Sequence, residues 1–248
     1  MDCEEIIDES LSSLDALQGR VQDFMAADEA CIAKLTSLDV ECSLSMIRIS
    51  REMLRHARQD NNEYKLQVLV RSVFQRRHPQ TLDLVIDAFR SPSTSDKEIY
   101  VTLLQEFEDP RAVSALVDFV SATSDAADDD QAGLLVQVID ALRHARVEAA
   151  VPILLLRLHD RDDRVRGAVI DFIVELEIKS AGASFVLSLE RETDPDNLRA
   201  LVNALAEWNC IDALLPLRRL LGRDLASDNE LLHKSLSNAI EALTGKPG

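Results

Sequence analysis

The chain has 248 residues, a formal net charge of -17 and a sequence pI of about 4.7. A surface this acidic repels nucleic acids and anionic lipid head groups, and it suits a basic protein partner. Aromatic residues make up only 4% of the chain, and the 7 glycines leave few residues for hairpin turns or phosphate-binding loops. The composition therefore favours helices.

The first forty residues place apolar side chains at an alternating spacing of three and four. These side chains are Ile7, Leu14, Leu17, Val21, Phe24, Cys31, Leu35 and Leu38, and the polar Ser10 and Asp28 occupy the two remaining positions of the pattern. The spacing predicts either one long helix or a helical hairpin that turns near Gly19. We interpret residues 1–40 as a helical extension that caps the first repeat, or as a coiled-coil segment that makes a homodimer.

The next segment, residues 41–77, reads as a degenerate helical hairpin with helices over about 41–58 and 63–76. Between Arg48 and His78, eight cationic side chains stand against three carboxylates. This basic stretch is either a docking patch or a solvated helix face that pairs with acidic neighbours.

From His78 onward, a two-helix pattern recurs five times. Equivalent positions in the first helices are Asp83, Ser114, Pro152, Ser184 and Pro216. The steps between them are 31, 38, 32 and 32 residues, and the long step contains an acidic loop over 121–133. The predicted repeats are 78–108, 109–145, 146–177, 178–209 and 210–245.

Each of these units is too small to bury its own apolar face, so consecutive hairpins must stack. No window shows the period-2 alternation of a strand. The sequence predicts an all-α chain that forms an α-solenoid of antiparallel helical hairpins wound as a right-handed superhelix.

One second helix carries a family likeness. Its sequence, DDRVRGAVIDFIVEL, contains Asp163, Val165, Arg166 and Ala168 in a D-x-V-R-x-A pattern, and Asp196 and Arg199 repeat the charged pair. The pattern resembles HEAT repeats, especially the short repeats of phycobilisome-lyase-type proteins. The resemblance implies stacked hairpins; proteins of this kind are mostly scaffolds, although bilin lyases and some alkyl-base DNA glycosylases share similar repeats.

Residues able to do chemistry are present but show no diagnostic spacing. The carboxylates at 106–109 and 160–163 fall in inter-helix loops, where helix caps are expected. No His lies four residues from another His or from a Cys, and no phosphate-binding or nucleophile motif occurs. We predict no catalytic, cofactor-binding or metal-binding residues, and we expect the chain not to be an enzyme.

The four cysteines, Cys3, Cys31, Cys42 and Cys210, show no paired spacing. They read as thiols in a reducing compartment. The start of the chain lacks a signal-peptide pattern, and its apolar runs are too short to span a bilayer. We expect a cytoplasmic protein without a membrane partner.

The leading functional hypothesis is an acidic scaffold that binds a partner protein or peptide, preferably a basic one, on the face lined by the second helices. Nucleic acid is an unlikely ligand on charge grounds. The alternatives are a bilin-lyase-type subunit and a structural homodimer made through residues 1–40. The candidate partner-binding residues are Tyr100, Arg166, Arg199, His233, Arg48, Arg51, Arg55 and Arg58.

Overall fold

A computed structural model of the chain describes residues 2–15, 21–39, 41–60, 63–91, 97–123, 128–223, 226 and 228–245. For residues 15, 21–26, 28, 41 and 56–60 the description covers the backbone only. The predicted role of Arg58 therefore lies outside the described side chains. The same holds for three positions of the N-terminal apolar pattern, Leu17, Val21 and Phe24.

The described residues form fourteen α-helices and contain no strand, which confirms the predicted all-α class. The helices are α1 (Cys3–Asp15), α2 (Val21–Thr36), α3 (Glu41–Asp60), α4 (Glu63–Gln75), α5 (Thr81–Arg90), α6 (Glu98–Gln105), α7 (Pro110–Ala122), α8 (Asp129–His144), α9 (Val151–Arg157), α10 (Asp163–Glu175), α11 (Gly182–Leu189), α12 (Pro195–Glu207), α13 (Leu214–Leu221) and α14 (Glu230–Thr244). The chain divides into two compact units, Met1–Ala115 and Leu116–Gly248.

The first unit stacks three hairpins. Helices α1, α3 and α5 pack in succession, and α2 packs on α4 in a second layer. Ile7, Leu14 and Leu35, which belong to the N-terminal apolar pattern, are completely buried inside this unit. The N-terminal helices are therefore a hairpin that covers α3 and α4, and these three side chains are not available to a second copy of the chain.

A disulfide joins Cys3 at the start of α1 to Cys42 at the start of α3, with the Cα atoms 5.3 Å apart. The expectation of four thiols is therefore wrong for this pair, while Cys31 and Cys210 are not disulfide-bonded. Packing of α1 on α3 brings together two residues separated by 39 positions, which no short spacing motif reveals. Structural disulfides are typical of oxidising compartments, so the pair also removes the basis for expecting a reducing one.

The second unit is more regular. Its second helices α8, α10, α12 and α14 pack in succession, and each of α9, α11 and α13 packs on the second helix that follows it. The buried face of α10 carries Val165, Val169, Phe172 and Ile173, at the spacing of an amphipathic helix. The second unit is thus a row of hairpins with a continuous apolar layer between first and second helices.

One turn recurs three times in this unit. Arg146, Glu177 and Asn209 adopt positive φ angles of 51°, 54° and 56° directly after a helical C-cap. The next residue in each case donates its backbone N–H to a carbonyl five residues back, as between Val147 and Leu142 at 3.0 Å. This is the Schellman motif, and it ends α8, α10 and α12 in the same way.

The repeated turn corrects the predicted alignment by one residue. The turns follow one another at steps of 31 and 32 residues, whereas the charged pattern that begins at Asp163 matches it with Asp196 at a step of 33. The structural counterpart of Asp163 is Pro195, and that of Arg166 is Leu198. The two charged pairs are therefore not equivalent members of one ladder.

The prediction of an acidic loop over 121–133 is wrong at the C-terminal end of that range. Helix α8 begins at Asp129, and the Asp128 side chain caps it by accepting a hydrogen bond from the Gln131 backbone N–H at 2.9 Å. Carboxylates near a helix N-terminus meet its unpaired N–H groups and the positive end of its dipole. The run of aspartates thus starts a helix.

Among the helices described, none is both long enough and apolar enough to cross a membrane.

Candidate functional site

A groove of about 350 Å³ opens on the second unit, on a surface built by α8, α10 and α12. Val136, Gly167 and Ala168 supply small or apolar side chains to it. Its charged lining residues are Asp140, Arg143, Asp163, Arg164, Asp171 and Asp194. Four carboxylates against two guanidinium groups make the groove acidic.

Close packing between α10 and α12 requires the small residue at Gly167. A Cβ atom added there would lie 2.7 Å from the Asn197 side-chain oxygen, which is too close for a real contact. The Asn197 amide donates a hydrogen bond to the Asp163 carbonyl oxygen at 2.9 Å and so fixes the first turn of α12 against α10. The spacing of these two helices therefore depends on a glycine, which leaves room for the groove.

Arg164 is bound by carboxylates. Its Nε and one terminal nitrogen donate to the two oxygens of Asp162 at 3.0 and 2.7 Å, and it reaches Asp129 at 3.0 Å. The hydrogen bond from Arg164 lowers the pKa of Asp162 and in turn raises the pKa of Arg164. The positive charge of Arg164 is therefore already balanced by neighbours on the same unit.

Arg143 is balanced in the same way. Its two terminal nitrogens meet Asp140 at 3.0 Å and Glu175 at 2.9 Å. Since both arginines of the groove are paired with carboxylates, the charge that remains toward a ligand is negative.

Asp171 on α10 contributes to that remaining charge. No described residue donates a hydrogen bond to its carboxylate, which stays accessible to solvent. Desolvation raises the pKa of Asp171; Asp140 and Glu175 add to the rise, and Arg143 opposes it. A carboxylate in this setting gains from a cation placed beside it, because the cation stabilises the ionised form.

Arg166, a predicted partner-binding residue, is used inside the protein. It donates to both oxygens of Glu192 at 2.7 and 2.6 Å and to the backbone carbonyls of Asp160 and Arg161 at 3.0 Å. The side chains of Arg166 and Glu192 are only 13% and 3% exposed. Arg166 therefore joins α10 to the loop before α12. This contact corrects the prediction that Arg166 binds a partner.

Glu192 is held by more than Arg166. It also accepts hydrogen bonds from the backbone N–H groups of Thr193 at 2.8 Å and Asp194 at 2.9 Å. Burial alone would raise the pKa of Glu192, but these hydrogen bonds outweigh it and the net pKa is lowered. The pair is a charge-assisted clamp between two successive hairpins.

The prediction that Tyr100 contacts a partner is also corrected, because its side chain is 0% exposed in α6. Arg199 pairs with Asp196 of its own helix at 3.1 Å and remains 38% exposed. His233 lies exposed on α14. Arg199 and His233 stay predictions, and neither lines the groove.

The basic residues of α3 form a separate feature on the first unit. Arg48, Arg51 and Arg55 line a cavity of about 430 Å³ beside the exposed Leu44. Arg48 is paired with Glu4, and Arg51 lies 4.0 Å from Asp87. Their role as a docking patch stays a prediction.

Sequence reasoning missed Asp171, Gly167 and Asn197. Asp140 and Asp171 occupy equivalent positions one repeat apart, at the 31-residue step that the turns define. That 31-residue spacing was the signal available in the sequence, and the incorrect alignment of the repeats concealed it. In the part of the chain that the structure describes, no group of three His, Cys, Asp or Glu side chains is arranged to hold a metal ion.

No protein-family model and no curated protein matches the chain. Solved structures do match. The complex of CpcE and CpcF of phycocyanin lyase from Nostoc sp. PCC7120 is 15% identical, with 98% of this chain and 95% of that chain covered and a TM-score of 0.41. Human deoxyhypusine hydroxylase in complex with glycerol is 16% identical, with 98% of each chain covered and a TM-score of 0.40. An engineered protein is 15% identical, with coverages of 86% and 96% and a TM-score of 0.41.

Two of the three matched structures are a lyase and a hydroxylase by name. They contradict the expectation that the chain is not an enzyme, and we do not retain it. What the chain's own residues establish is two units of stacked helical hairpins, the second of which carries an acidic groove.

Proposed function

We propose that the groove between α8, α10 and α12 binds a basic segment of a partner protein. The observation that carries the proposal is the unequal pairing of its charges. Arg143 and Arg164 each contact two carboxylates, whereas Asp171 accepts no hydrogen bond from the described residues. A Lys or Arg side chain of the partner completes this set.

The size and lining of the groove support an extended segment. About 350 Å³ accommodates one or two long side chains, and Gly167 and Ala168 let a peptide backbone approach α10 closely. The net charge of -17 on the chain attracts a cationic partner from a distance, which raises the association rate at low salt.

We also infer that the hairpins belong to the HEAT-like class, in the short form suggested by the D-x-V-R-x-A pattern. The recurrence of one Schellman turn at Arg146, Glu177 and Asn209 supports a repeat of 31 to 32 residues. The bilin-lyase alternative is not favoured over partner binding, because no feature of the groove selects a tetrapyrrole.

The test uses a fluorescein-labelled peptide of alternating Lys and Ser, with fluorescence anisotropy read at low ionic strength. Asp171→Asn removes the carboxylate and should weaken binding about fivefold, the effect of one partly exposed charge pair. Asp212→Asn is the matched control, because it removes one exposed negative charge of the same unit outside the groove.

Binding should also weaken as the pH is lowered through the raised pKa of Asp171, since the neutral carboxyl no longer attracts a cation. Equal loss of affinity in the two variants would show binding to the general negative field and would overturn the assignment of the groove. A peptide of alternating Glu and Ser should not bind.

A further inference from the structure

The first unit contains a larger cavity that the groove proposal does not use. Its volume is about 740 Å³, within the range of small-molecule sites. It opens where the end of α4 and the start of α5 meet the connection between α6 and α7. All its lining residues lie within the unit that ends at Ala115.

Aromatic and apolar side chains form part of the cavity wall. Phe74 and Phe107 meet edge to face, with ring centroids 5.4 Å apart and planes at 82°. Both rings are only half-buried, and Pro79 and Leu82 extend the apolar wall. Half-buried aromatic rings in a cavity of this size favour a ligand with a flat apolar body, which stacks on their remaining surface.

The end of α4 supplies hydrogen-bond donors to the same cavity. The Arg77 guanidinium makes no side-chain hydrogen bond or ion pair with the described residues, and Gln75 uses only its side-chain oxygen, which accepts from Thr36 at 3.0 Å. The Nδ1 atom of His78 accepts from the Gln80 backbone N–H at 3.2 Å. A neutral His78 ring therefore carries its proton on Nε2, which is a donor.

The other charged lining residues are largely balanced. Arg111 contacts Asp109 at 3.0 Å and Asp83 at 2.7 Å, so its charge is compensated within the unit. Glu106 is the remaining carboxylate of the lining, and it directly follows α6. Three donors at the end of α4, one of them cationic, against a single remaining carboxylate favour a ligand with an anionic acceptor group at the α4 end.

We propose that this cavity binds a small aromatic anion, that is, a fused-ring or multi-ring molecule with one carboxylate or sulfonate. The ring system packs against Phe74 and Phe107. The anionic group lies at the end of α4, where Arg77 pairs with it and His78 and Gln75 donate to it. Glu106 lowers the affinity for such anions.

The experiment compares two fluorescent probes on the full chain. One is 8-anilinonaphthalene-1-sulfonate, and the other is N-phenyl-1-naphthylamine, which has the same rings without the sulfonate. The sulfonate probe should bind at one saturable site, more tightly than the neutral probe. Arg77→Gln should weaken the sulfonate probe about fivefold to tenfold and leave the neutral probe unchanged.

Arg146→Gln is the matched control for Arg77→Gln. Arg146 is likewise an exposed arginine with a φ angle of 51° at the end of a helix, but it lies in the second unit. Its replacement should change neither probe. If Arg146→Gln weakens the sulfonate probe as much as Arg77→Gln does, the cation effect is not local and the proposal is overturned.

Two further variants separate binding from folding. Phe107→Leu keeps an apolar side chain while removing the ring, and it should weaken both probes about threefold or more. Glu106→Gln should tighten the sulfonate probe, a gain that a folding defect does not produce. Unchanged affinity in both variants, or equal affinity of the wild-type chain for the two probes, would overturn the proposal.

Discussion

The two units hold their loops with arginines in different ways. In the first unit, Arg76 donates to the carbonyl oxygens of Leu35, Thr36, Leu38 and Asp39, at distances of 3.1, 3.1, 2.6 and 2.6 Å. These are neutral acceptors in the turn that leads from α2 to α3. In the second unit, by contrast, Arg166 combines two loop carbonyls with a buried carboxylate.

The difference extends to what else fixes each unit. The first unit adds the disulfide between Cys3 and Cys42, which ties the first hairpin to the next. The second unit repeats one turn geometry three times and adds the clamp between Arg166 and Glu192. Irregular hairpins are thus held by a covalent bond and a capping arginine, whereas regular hairpins are held by matched packing and by buried ion pairs, Arg166 with Glu192 and Arg157 with Asp160.

The largest expected effect tests the continuous packing of the second unit. Phe172 is completely buried in α10, between neighbouring hairpins. Phe172→Ala should lower the free energy of unfolding by about 4 kcal/mol, because it removes a ring and leaves a cavity. Urea denaturation followed by circular dichroism measures the change.

Leu243→Ala is the comparison for that variant. Leu243 is also buried, but it lies near the end of the last helix and has neighbours on fewer sides. It should cost about 2 kcal/mol, at the low end of such truncations. Equal losses in the two variants would contradict the expectation that interior hairpins of the second unit contribute more to stability than the last helix.

The second prediction contrasts the two arginines directly. Arg166→Met leaves the Glu192 carboxylate buried without its cation and should cost about 3 kcal/mol. Arg76→Met leaves neutral carbonyls that are partly buried or exposed and should cost about 1 kcal/mol. Similar losses from both changes in urea denaturation would remove the distinction between the units.

The same clamp gives a pH signature. Because the pKa of Glu192 is lowered from its ordinary 4.5 in the folded state, its contribution to stability is present above that value. The contribution is lost as the pH falls through the lowered pKa. Unfolding curves of the wild-type chain should show this loss, and curves of the double variant Arg166→Met with Glu192→Met should lack it.

The last prediction concerns the disulfide. Replacing Cys3 and Cys42 by Ser should lower the free energy of unfolding by about 2 kcal/mol, since the cross-link restricts a 39-residue segment of the unfolded chain. Thiol titration of the denatured chain should give two thiols before reduction and four after it. Four thiols before reduction would contradict the pairing, and Cys210→Ser serves as the control for loss of a single free cysteine.

Local patterns in the sequence were sufficient for the helices and their pairing into hairpins. The 3.6-residue period is set by neighbouring residues along the chain, so α3, α4 and α10 were predicted nearly to their ends. The register between repeats was less well determined. Apolar residues at i, i+3 and i+4 still coincide after a shift of one position, so a step of 33 fitted the pattern although the turns follow at 32.

The sequence by itself determined an all-α chain of stacked hairpins, because burial of a helix face is encoded locally. Only the tertiary structure decided that Cys3 meets Cys42, that Arg166 meets Glu192, and that Asp171 lies in the acidic groove. These contacts join different helices, and their geometry depends on how closely the helices approach each other. Gly167 of α10, which packs against Asn197 of α12, is an example. A side chain's partner across such an interface is fixed by packing, which spacing along one helix does not specify.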